Sequence, residues 1–154
     1  MNDLHVHLRN HWAAAHGGVD FVERVARRHR GSEMGPALAE LAGHVREDRD
    51  ALGEVMASVG ADRGLVMPLA ARVAERVGRL KPNGHLITRS PVSDVLELEA
   101  LRGAVCAKAA GWDTLLVLCD REPQLPRGQI EELRRRADEQ TTALEQIQRH
   151  IAAT

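Results

Sequence analysis

The chain has 154 residues, 44% of them hydrophobic, with 21 basic side chains against 22 acidic ones. That is the size and apolar content of one domain around one core, and charges this closely balanced give no electrostatic basis for binding nucleic acid or an anionic membrane. With no Tyr and a single Phe, the chain also lacks the stacking platforms of single-strand nucleic-acid binders.

The first helix is expected over about residues 2–29, where Leu4, Leu8, Ala15, Gly18, Val22 and Val25 recur at spacings of three and four. Gly31 and Ser32 end it. A second helix over about 36–60 opens with Pro36 near its first turn, carries Leu38, Leu41, Val45, Leu52, Val55 and Val59 on one stripe, and stops at Gly60. The short intervening loop makes these two helices antiparallel neighbours. A shorter helix is expected over about 65–80, closed by the Pro82-Asn83-Gly84 turn signal. Ser90 and Pro91 read as N-cap and first residue of a third long helix over about 91–120, with Leu98, Leu101, Val105, Trp112, Leu115 and Cys119 inward. Two prolines between Glu122 and Arg127 turn the chain into the last helix, about 128–152, with Ile130, Leu133, Ala137, Leu144, Ile147 and Ile151 inward.

The expected fold class is therefore all-α, a four-helix bundle in a single domain spanning residues 1–154. The second helix is about 25 residues or roughly 38 Å long, a distance that the following segment with its own short helix can traverse. Helix three would then start at the end where helix two started; the alternative is a simple up-down-up-down bundle, which would leave that segment as an appendage rather than a brace. No apolar stretch approaches the roughly 20 residues needed to cross a bilayer. Met1–Leu8 has no signal-peptide pattern, so a cytoplasmic protein is expected. Cys106 and Cys119 read as small buried hydrophobes of a reducing compartment, with no disulfide.

Each long stripe has one polar interruption: His11, Asp48, Lys108 and Gln140 in helices one to four. With the crossover above, the four fall within roughly 9 Å along the bundle axis. Lys108 buried alone would lose its proton or cost several kcal/mol, so it is expected to pair with Asp48 while His11 and Gln140 satisfy the remaining hydrogen bonds. Such a core either fixes helix register or forms a binding or catalytic centre, and the spacing does not separate the two. Trp112, one turn from Lys108, is expected to pack in the core, and Glu99 flanks the stripe. His5, His7, His29, His85 and His150 sit at helix ends or in turns, where solvated roles are the default, and Arg134 to Arg136 reads as a solvated face.

The whole chain resembles the ferritin-like superfamily, and more closely an uncharacterised family of small four-helix-bundle proteins from high-GC Gram-positive bacteria. The resemblance is carried by His11 with Gly17-Gly18-Val19, by Glu47-Asp48-Arg49, and by Val77-Gly78-Arg79-Leu80-Lys81 with Asn83-Gly84. Ser90-Pro91, Leu96-Glu97-Leu98-Glu99-Ala100-Leu101 and Lys108 with Trp112 complete it. It implies a bundle with one long crossover, and, for members with a di-iron centre, Glu on two helices and Glu-x-x-His on the other two. This chain has no Glu-x-x-His; His44 precedes Glu47, and Lys108 would put a positive charge where metals sit.

The leading expectation is thus a ferritin-like protein without a di-iron centre or other cofactor. It would act by binding, through a homodimer or through a small-molecule ligand at the polar core. Gly17 and Gly18 would permit the close helix approach of a dimer. The alternative is an enzyme. One version is an iron- or manganese-dependent oxidoreductase using His11, His16, His44, Glu47 or Asp48 and Glu99 as a partial metal site. The other uses Lys108, with Asp48 and His11, as base or nucleophile.

Overall fold

The computed structural model describes residues 3–64 and 91–153. These residues form four helices and no strand: α1 (Asp3–Arg28), α2 (Gly35–Ser58), α3 (Pro91–Leu118) and α4 (Arg127–Ala152). All four long helices lie within two residues of their expected bounds. The short helix expected over 65–80 and the Ser90 cap lie outside the described residues.

Two local features turn α1 into α2 and stop α2. At Gly35 an added Cβ would meet the backbone oxygens of His29 and Arg30 at 2.8 Å, so the chain reverses there only without a side chain. At the other end Gly60 takes φ +65°. Its N–H donates to Ala57 O and that of Ala61 to Met56 O, the paired bonds of a Schellman cap, while buried Ala61 closes the apolar contact.

Cross-helix contacts fix the directions. Arg46 bonds Glu23 and His5 reaches Val59 O, so α1 and α2 run antiparallel. Arg134 on Asp113 and Arg102 on Glu145 make α3 and α4 antiparallel. Arg28 bonds Glu97 while His11 lies against Gly111, so α3 descends along α1. Glu47 with Arg136 and Glu54 with Gln129 set α4 against α2. The helices therefore run up, down, down, up, and α3 begins at the end of the bundle where α2 began.

The core is one continuous cluster drawn from all four helices. Leu8, Val22, Val25, Leu38, Val55, Met56, Leu98, Ile130, Ala137 and Leu144 have no exposed surface. Burying each large aliphatic chain contributes about 1.5–3 kcal/mol before conformational entropy is set against it. In α1 the inward stripe is centred differently from the expectation: Trp12, Val19 and Phe21 are buried, whereas Ala15 and Gly18 are only half-buried. Trp12 and Phe21 bring the larger apolar areas and take the core-facing positions. No helix among the described residues is long and apolar enough to cross a membrane.

Candidate functional site

The α2 register places Asp48 between Leu41 and Leu52 on the buried stripe, and the side chain is 2% exposed. Lys108 occupies the corresponding gap between Val105 and Trp112 on α3, and Gln140 that between Ala137 and Leu144 on α4. The three meet at mid-bundle. The Lys108 ammonium donates to Asp48 Oδ2 at 2.6 Å and to Gln140 Oε1 at 2.5 Å, while Gln140 Nε2 donates to the same Asp48 oxygen at 2.7 Å. Each pair of partners thus ties two different helices at one height, so a register slip of any of the three would strand a buried polar group.

A fourth member comes from α4. Arg136 Nε lies 3.0 Å from Asp48 Oδ1, and its Nη2 donates to Glu47 Oε2 at 2.8 Å and to His44 O at 3.3 Å. Arg136 is therefore not part of a purely solvated run. It lies one turn before Gln140 and on the flank facing α2, a position that the turn-by-turn spacing from Gln140 would have marked. Burial pushes the Lys108 ammonium below its ordinary range; the Asp48 charge and hydrogen bond pull it back up, and Arg136 pushes it down again. Acting as a base would require Lys108 to release a proton that Asp48 and Gln140 both hold.

His11 is not joined to this network. Its imidazole lies against the bare backbone of Gly111 on α3 and 4.4 Å from the ring of His7. Trp12, one residue on, takes the core position and turns His11 to the α1–α3 seam. Burial first, and the neighbouring His7 second, lower the His11 pKa from 6.5 to about 4. The unfolded chain then binds a proton that the folded chain refuses between those two values. Stability should be full above pH 6.5 and fall as pH drops toward 4. Thermal unfolding across that range should show a smaller pH slope in His11→Gln than in the wild type.

Trp112 is buried at 4%. The alternative metal ligands stay apart. His16 turns Nδ1 to Trp12 O at 2.9 Å, His44 is exposed, Glu47 is held by Arg136, and Glu99 is exposed on α3 beside Gln148. The donor set at mid-bundle does not fit a di-iron centre: its one buried carboxylate is already engaged by an ammonium, a guanidinium and an amide, and no imidazole joins it. Two cations beside that carboxylate would repel an incoming metal ion.

Two other expectations are corrected. Cys106 is exposed and Cys119 only partly buried, because α3 turns its Cys106 face away from the bundle. His29 is not solvated but 1% exposed, since the start of α3 packs over the end of α1. Comparison with protein-family models, with curated proteins and with solved structures yields no match, so the functional reading rests on this geometry.

Proposed function

We propose that this chain is a ferritin-like bundle without a di-iron centre that acts by binding, its partner being a second copy of itself docked along α3. The fold part of this reading is supported by the helix directions, since two antiparallel pairs joined between opposite ends are the arrangement of ferritin-like bundles with one crossover. The absence of a di-iron centre is supported by the ion pair that fills mid-bundle.

The observation that carries the binding role is the outward face of α3. Val92, Leu96 and Val117 are 67%, 59% and 72% exposed, and Gly103, Cys106, Ala107 and Ala110 lie exposed between them. A helix that is apolar on both its inward and outward faces is normally covered on both. Between Leu96 and Val117 the stripe also reads nearly the same in either direction, with Gly103 and Ala110 inside them and Cys106 beside Ala107 at the centre. Two copies crossing antiparallel would set large residues on large and small on small, the self-complementary pattern of a two-fold interface. The polar network holds α3 to α2 and α4, so the face is presented as a fixed surface. In this reading the protein works in the reducing cytoplasm, with Cys106 a thiol near the two-fold axis.

Sedimentation equilibrium at about 100 µM should give a dimer for the wild type and a folded monomer for Leu96→Glu, whose charges would be buried at the interface. A monomeric wild type would overturn the reading, and so would a Leu96→Glu variant that remains dimeric.

A further inference from the structure

At the end of the bundle away from the α3–α4 turn, α1 runs out at Arg28, and the next residue, His29, folds its imidazole under the start of α3 with no side-chain exposure. Facing it, Asp94 and Glu97 lie one turn apart on α3, their side chains 14% and 12% exposed. His29 Nε2 is 3.7 Å from Asp94 Oδ1 and 3.9 Å from Glu97 Oε2, and the three atoms all lie within 4.8 Å of one another. Those separations exceed the roughly 3.2 Å limit of a good hydrogen bond. The two distances from His29 approach the spacing of about 3.3–3.6 Å between donors on a tetrahedral ion with bonds of about 2.0–2.2 Å.

The orientation of Glu97 is a second observation. Its Oε1 accepts from Arg28 at 3.0 Å, which leaves Oε2 turned inward, buried and without a hydrogen-bond partner. Such an oxygen is costly unless something with positive charge meets it. Arg28 thus does for this carboxylate what outer hydrogen bonds do for metal ligands, fixing which oxygen points at the ion.

We propose that His29, Asp94 and Glu97 form a binding site for one divalent transition-metal ion, independent of the mid-bundle network and of the α3 surface. One imidazole and two carboxylates suit zinc or manganese, and the imidazole disfavours magnesium and calcium. Among the described residues the chain supplies three ligands, one fewer than the four of a closed tetrahedral site. The ion would fasten the last turn of α1 to the first turns of α3, tying the first helical pair to the second.

Titration of the metal-free full chain with Co(II), followed by visible absorption, and with Zn(II), followed by calorimetry, should each give one saturable equivalent per chain. Asp94→Asn and Glu97→Gln should each weaken binding at least about tenfold. Both are half-buried and keep the side-chain shape, so they test the site even if His29→Ala fails to fold. Lys108→Met should bind as the wild type does, which separates this site from the bundle centre. Absence of saturable binding would overturn the proposal. Equal affinity in the wild type, Asp94→Asn and Glu97→Gln would overturn it as well, by placing the ion on other histidines.

Discussion

Replacing Asp48 with alanine should destabilise the folded chain by about 3 kcal/mol, whereas Lys108→Met should cost about 1 kcal/mol or less. Asp48 is the hub: Lys108 and Gln140 both donate to one of its oxygens and Arg136 lies against the other. Its loss leaves an ammonium, a guanidinium and an amide converging on a small cavity. Lys108 is 20% exposed and can turn partly toward water, which holds the cost at the lower end of that for breaking a buried pair. Methionine at 108 keeps the aliphatic stem, and Asp48 retains Gln140 and Arg136. Urea denaturation of the two variants checks the ordering, and equal losses would contradict the hub role of Asp48.

The second large effect is at the α1–α3 seam. Gly111→Ala should cost about 1–3 kcal/mol, because overpacking a filled contact forces side chains or backbone to move. The added Cβ would lie 2.7 Å from His11 Nδ1 and 2.8 Å from Nε2, and the His7 ring, centred 4.4 Å from that of His11, narrows the space into which the imidazole can shift. With His11→Ala the obstacle is gone. The same Gly111→Ala change should then stabilise by about 0.5–1 kcal/mol, the ordinary helix preference for alanine over glycine. A double-mutant cycle by thermal unfolding reads this change of sign. An identical cost of Gly111→Ala in both backgrounds would mean that His11 does not pack on Gly111.

Much of the architecture could be read from periodicity alone. In α4 every expected inward residue, from Ile130 to Ile151, is buried, because its outward positions are almost all polar or charged and leave one possible face. The heights of Asp48, Lys108 and Gln140 followed from helix rise and turn positions. His11 was misplaced by one residue of register, since adjacent Trp12 competes for the same inward direction and spacing does not say which wins. Arg136 was hidden inside a run of three arginines, where composition suggests water, and only its place one turn before Gln140 sets it apart from its neighbours. His29 lies just past the end of α1, so nothing local announced that α3 would cover it. The inward stripe of α3 was legible, but its exposed apolar residues escaped notice because the small side chains of Gly103, Cys106, Ala107 and Ala110 do not stand out as a second stripe.

The central claim is that an ammonium paired with Asp48 occupies the middle of this bundle. The chain has only two lysines, Lys81 and Lys108, so ¹⁵N labelling of the lysine side chain gives two ammonium signals to follow by NMR. One of them should titrate below the ordinary lysine range, as burial dictates, and should move further down in Asp48→Asn, because the carboxylate is what raises it. Two signals that titrate together in the ordinary range, with neither responding to Asp48→Asn, would contradict it.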